Sequence, residues 1–144
     1  MTREIKFRAW YPGESFQDGQ ARMFQEVCIS KTGKVMGLEG GWDYMGDDEL
    51  AIPMQYTGLK DKNGVEIYEG DIVKATGVKR GYLVAEFTGR VYWFAGQFQW
   101  WITDNIANGA DYSLDYLGYF DNYKIISNIY EDPELLTLHN QYDK

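Results

Sequence analysis

The sequence has 144 residues, with 22 Asp plus Glu against 14 Lys plus Arg and a formal net charge of −8, the size and charge balance of one water-soluble domain or two very small ones. No run approaches the ~18 apolar residues of a spanning helix, and the start, MTREIKFRAW, lacks the apolar stretch of a signal peptide, so the reading is a cytoplasmic protein with no membrane partner. A single cysteine, Cys28, rules out an internal disulfide, and with one histidine, His139, the chain is too poor for a Cys/His zinc site.

Apolar residues alternate far more often than they recur at helical spacing, and 16 Gly and 3 Pro punctuate them, the pattern of a mainly β protein. In chain order, Ile5, Phe7 and Ala9 are expected on one face of a first strand, with Lys6 and Arg8 on the other. Residues 22–29 read as a second strand around Met23, Val27 and Ile29, residues 30–33 as a turn, and 34–38 as a third strand. The stretch 39–49, EGGWDYMGDDE, has glycines and acids without periodicity and reads as a surface loop. Strand character resumes at Ile52, where Pro53 suits an edge or first-residue position because it cannot donate to a ladder.

Further on, Asn63 and Gly64 suit the left-handed positions of a tight turn, and Glu69, Gly70 and Asp71 turn the chain into a strand over 72–76. Residues 77–81 read as another turn, 82–87 as a strand, and Thr88 and Gly89 as a break before the hairpin RVYWFAGQFQWW. With Ala95 and Gly96 at its centre, Trp93 pairs with Phe98 and Val91 with Trp100 on the core face, and Tyr92, Phe94, Gln97, Gln99 and Trp101 take the other. Ser113 is placed to cap a short helical turn stopped by Gly118. Residues 123–130 form a strand, with Ile125 and Ile129 on one face and Ile126 on the other. Asp132, Pro133 and Glu134 then start a short helix ending near His139.

Catalytic signatures are largely excluded. No two glycines are two positions apart, so the dinucleotide fingerprint is absent, and Gly33 and Lys34 have Cys28 where a P-loop needs its first glycine. A calcium loop from Asp61 fails because its sixth position is Glu66 rather than glycine. Cys28 and His139 have nothing local to activate a thiol, and Cys28 reads as a buried structural residue. The one remaining chemical set is Asp61, Glu66, Glu69 and Asp71, carboxylates of the kind that hold magnesium or manganese in a phosphoesterase. Carboxylates at turns more often bind backbone amides, which is the preferred reading.

The charge is polarised. Acid concentrates in 39–49 and the C-terminal third, while Lys74, Lys79, Arg80 and Arg90 are interleaved with aromatic residues, as a single-stranded nucleic-acid groove requires. The net negative charge opposes that alternative outside the local patch.

The segment MQYTGLKDKNGVEIYEGDIV, residues 54–73, resembles the signature of the YopX protein family. IKFRAW, residues 5–10, and SNIYEDPELL, residues 127–136, are similar to its opening and closing motifs. The resemblance implies a small protein encoded by a phage or prophage, and it brings no established catalytic residues. Within the signature, Tyr56, Tyr68, Asp61, Glu69 and Asp71 are the members that a fold alone explains least.

These observations predict an N-terminal β lobe over 1–57 packed on a small SH3-like β barrel with a C-terminal helix over 58–144, the two unfolding as one cooperative unit. The expected role is a non-enzymatic accessory module, without cofactor, that binds itself or a phage or host protein. Its candidate binding residues are Tyr92, Phe94, Gln99, Trp101, Tyr56, Tyr68, Glu69 and Asp71. The hairpin face is the core of that expectation, because an uncharged aromatic patch of a few hundred Å² usually marks an interaction site.

Overall fold

A computed structural model describes residues 4–15, 17–25, 27–31, 33, 35–37, 51–94, 96–102 and 110–137. The predicted loop 39–49, the turn residue Ala95 and the helix end at His139 lie outside the described residues. The chain is mainly β, as the alternation predicts, and divides into two compact units, Met1–Gly58 and Leu59–Lys144.

In the first unit, β1 (Phe7–Tyr11) lies between β2 (Arg22–Phe24) and β5 (Ile52–Lys60), antiparallel to both. A separate hairpin joins β3 (Val27–Ile29) to β4 (Val35–Gly37) through a turn closed by the Gly33 amide on the Ser30 carbonyl, with Gly33 at φ +86°. The single strand expected over 22–29 is thus two strands with different partners. The core here is Ala9, Tyr11, Val27, Val35 and Ala51, with Phe7, Phe24 and Ile29 against it. Ile5 precedes β1 and is 63% exposed, so the core face begins at Phe7 rather than at Ile5. Cys28 is exposed, not buried: Val27 takes the inward position of this short strand, and its neighbour must point outward. Pro53 is the second residue of β5, opposite Ala9.

The second unit begins at Leu59 with the end of β5, followed by the turn from Asp61 to Val65, across which β6 (Glu66–Tyr68) returns beside β5. Only Gly64 is left-handed there, at φ +84°, and its amide closes the turn on the Asp61 carbonyl. Asn63 keeps a negative φ because a turn of this kind needs one left-handed residue, not two.

A five-stranded antiparallel sheet follows, in the order β10 (Ala110–Ser113), β9 (Gln97–Ile102), β8 (Tyr82–Phe94), β7 (Asp71–Lys79), β11 (Asn122–Asn128). The turn predicted over 77–81 is tighter: β7 runs on to Lys79, and Arg80 and Gly81 alone connect it to β8, at φ +53° and +79°. Two left-handed central residues match the right-handed twist of the strands they join. Nor does the chain break at Thr88 and Gly89. β8 is 13 residues long, and Gly89 is a buried mid-strand residue paired with Val73 on one side and Ile102 on the other.

The register of the β8–β9 hairpin is the predicted one, Val91 opposite Trp100 and Trp93 opposite Phe98, with Gly96 at φ +80°. Its inward face joins Ile67, Val73, Ala75, Val91, Trp100, Leu114, Leu117 and Phe120 in one core. Trp93 departs from the core role expected for it and is 48% exposed. The reason is topological: β7 pairs with β8 only as far as Arg90 and β10 with β9 only from Gln99, so among the described residues the tip of the hairpin is two strands wide.

The segment Leu114–Tyr119 is a 3-10 helix that passes through Gly118, and Ser113 makes no side-chain cap to it. In β11 the register slips between Ile125 and Ser127, leaving Ile126 as the extra residue of a bulge. Ile125 packs on the core while Ile126 is 37% exposed. The final helix, α1 (Glu134–Thr137), starts where the Leu135 amide bonds the Asp132 carbonyl, and it lies against β8.

Candidate functional site

Asp61 is the most constrained of the signature carboxylates. One of its oxygens accepts the amides of Asn63 and Val65 at 2.9 Å each, and the other accepts the amide of Ile125 at 3.1 Å. Alongside, the Lys62 amide bonds the Tyr123 carbonyl at 3.0 Å and the Lys62 ammonium sits 5.3 Å from the Tyr123 ring centre. The turn therefore occupies hydrogen-bonding groups along the outer side of β11, an edge that would otherwise be open to another chain.

Asp71 is 1% exposed, and its carboxylate accepts the Tyr68 amide at 2.8 Å. Between them, Gly70 at φ +86° donates its amide to the Val91 carbonyl and accepts the Ile129 amide, both at 2.8 Å. A β-carbon there would force a side chain into a left-handed backbone at a buried position. Tyr56 and Tyr68 are buried, at 4% and 5% exposure, whereas Glu66 and Glu69 are half-buried. Among the described residues, no three of Asp, Glu, His and Cys lie together as metal ligands would. The positive finding is that Asp61 and Asp71 hold backbone amides.

The candidate residues of the hairpin are spread along it, from Trp101 near its base through the Tyr92–Gln99 pair to Phe94 next to the turn. Tyr92 is opposite Gln99 and donates its hydroxyl to the Gln99 side-chain oxygen at 3.3 Å, while the Arg90 guanidinium lies 5.6 Å from the Tyr92 ring centre. Through the Gly70 amide, the turn carrying Tyr68, Glu69 and Asp71 abuts Val91, next to Tyr92. Gln99 is 9% exposed and Tyr92 half-buried, so the middle of this face is more enclosed than the sequence suggests. Phe94 and Trp101 hold register positions opposite Gln97 and Arg90, and their side chains lie outside the description. Tyr56 belongs to the first unit.

The basic set is dispersed. Lys74 forms an ion pair with Glu86 at 2.9 Å, Arg80 occupies the turn, and Arg90 lies eight residues beyond Tyr82 on β8, roughly 25 Å along an extended strand. The Lys79 side chain lies outside the description.

The model of the YopX protein family matches residues 6–137. The chain belongs to the YopX family. A solved structure, protein EF1440 from Enterococcus faecalis, is similar at 28% identity with a TM-score of 0.61, covering 94% of this chain and 99% of that one. No curated protein matches. The YopX match spans both units, and within it Asp61, Gly64, Gly70 and Asp71, turn residues of the signature, are each bonded to neighbouring backbone.

Sequence reasoning missed two features of this YopX chain: β10, and the exposed tyrosines of the 3-10 helix. The spacing of Tyr116 and Tyr119 was the available signal, since residues three apart eclipse one another in a 3-10 turn.

Proposed function

We propose that the protein is a non-enzymatic accessory module of a phage or prophage, working in the bacterial cytoplasm through the β8–β9 hairpin as its contact surface, most simply with a second copy of itself. The observation that carries this reading is the two-stranded tip with its half-exposed Trp93, held edge-on to Phe98 at 4.7 Å between ring centres. Tryptophan and tyrosine at such a tip supply large apolar area at low entropy cost, and the run from Val91 to Thr103 has no charge, as interface cores require. Trp93 and Phe98 lie on one face of the tip and Tyr92, Phe94, Gln99 and Trp101 hold register positions on the other, so the proposed contact closes over the hairpin from both faces, with Arg90 beside Tyr92 and Glu69 in the neighbouring turn.

We also read the second unit as an SH3-like module. The support is the strand order, a meander from β7 to β10 followed by a 3-10 turn and a last strand that returns beside β7. The carboxylate phosphoesterase and single-strand nucleic-acid readings have less support, because Asp61 and Asp71 are occupied by amides and Lys74 by Glu86.

Light scattering tests the proposal. The wild type should be an oligomer at ~100 μM, and Trp93→Glu should give a folded monomer, since a charge in a buried interface costs more than the contact returns. A wild-type monomer, or an oligomer untouched by Trp93→Glu, overturns it.

A further inference from the structure

The 3-10 helix Leu114–Tyr119 presents three rows of side chains, because residues three apart eclipse one another. Leu114 and Leu117 face the core, continued by Phe120, which meets Trp100 and Phe87 edge-on at 5.8 Å. Tyr116 and Tyr119 form the second row, with ring centres 5.4 Å apart, and Tyr119 is 84% exposed. Asp115 and Gly118, both exposed, form the third. Tyr116 also meets Phe120 edge-on at 5.6 Å, which seats the tyrosine row on the core.

Just past the helix, Asp121 accepts the Val78 amide at 2.6 Å and so fastens this segment to β7, where Val78 is itself 43% exposed. Among the described residues, and apart from its chain neighbours and the helix backbone, nothing lies within 4 Å of where a β-carbon on Gly118 would stand, so the row beside the two tyrosines is open there. The segment Leu114 to Asp121 carries two carboxylates and no basic residue.

We propose that this ledge is a second binding surface, separate from the hairpin, and that its occupant is an extended cationic peptide segment carrying arginines. The argument is charge complementarity joined to ring geometry. A guanidinium is planar, stacks on tyrosine faces and pairs with a carboxylate, so a ledge of two adjacent rings, with Asp115 on the neighbouring row and Asp121 two residues beyond Tyr119, answers both demands. An anionic ligand would instead face two carboxylates of the same segment, Asp115 and Asp121. A purely apolar partner would leave those carboxylates to be desolvated without a counter-charge.

The test is an NMR titration of the intact chain with a short peptide of alternating arginine and proline, alongside a matched peptide with glutamate in place of arginine. The arginine peptide should shift amides of residues 115–121 and Val78, with affinity that falls as salt is raised. Tyr119→Ala should weaken binding about 3-fold or more, the scale of an exposed cation–π contact. Asp115→Asn should reduce both the affinity and its salt dependence. Gly118→Leu, whose β-carbon would have no atom within 4 Å beyond its chain neighbours and the helix backbone among the described residues, should leave the protein folded and crowd the row beside the two tyrosines. Equal binding of the two peptides, shifts located elsewhere, or unchanged affinity in the folded Tyr119→Ala and Gly118→Leu variants would each overturn the proposal.

Discussion

Replacing Asp61 by alanine should be among the most damaging single changes in the signature. The carboxylate serves three backbone amides, two inside its own turn and one on β11, and the residue is 6% exposed. A hydrogen bond to a charged group contributes about 1.5–3 kcal/mol. After truncation, water can reach the exposed turn residues Asn63 and Val65, so those two bonds are discounted to ~1 kcal/mol each. The Ile125 amide belongs to a half-buried residue of a packed strand and should lose its full share. The sum is about 3–5 kcal/mol, or a fall of roughly 10–20 °C in Tm for a chain of this length. Asp61→Asn separates the contributions. Its side-chain oxygen can still serve the turn, but its NH2 then faces the Ile125 amide, donor against donor, so a loss of about 2 kcal/mol is expected. Urea unfolding of both variants, without and with Mg²⁺, is the assay. If Asp61→Ala lies within ~0.5 kcal/mol of wild type in metal-free buffer, the turn-and-edge account fails. If Mg²⁺ stabilises the wild type and not the variant, a metal-ligand role replaces it.

Gly70→Ala should cost about 2–3 kcal/mol, because it places a β-carbon at φ +86° in a buried turn bonded on both sides, and it should lower the urea midpoint without changing the slope. Arg80→Asn should stabilise by about 0.5–1 kcal/mol, since asparagine tolerates the left-handed backbone that Arg80 holds at φ +53° before Gly81; thermal unfolding reads the gain. The Trp100 indole N–H is buried and has no acceptor among the described residues, so Trp100→Phe should be neutral to within about 1 kcal/mol as the lost contacts offset the removed donor. Trp100→Ala, by contrast, should cost about 3–5 kcal/mol in the same denaturation series.

Local chemistry was legible wherever one residue type decides a backbone state. Gly33, Gly64, Gly70 and Gly96 all hold positive φ at turns that the sequence marks, and the hairpin register followed from Gly96 together with the alternation of Val91, Trp93, Phe98 and Trp100. Composition misled where a glycine was read as an interruption: Gly89 lies inside a long strand paired on both sides, and Gly77 lies inside β7 paired with Ala85 beside a register shift, because strand pairing holds a sheet together whatever its local propensity. Alternation assigned Trp93 to the correct face but not to the correct depth, since depth depends on how far β7 and β10 extend, a non-local property. The acidic turn residues were visible as candidates, yet their role became readable only when β11 was placed beside Asp61, with Ile125 some sixty residues away in sequence.

The hairpin tip is the central functional claim, and amide hydrogen exchange of the intact protein at low and high concentration addresses it most directly. If the tip is a contact between copies, amides from Tyr92 to Phe98 should exchange more slowly as concentration rises, while the exposed turn at Asn63 and Gly64 is unchanged. Tip exchange that is independent of concentration, or protection that develops at another surface instead, would contradict the account.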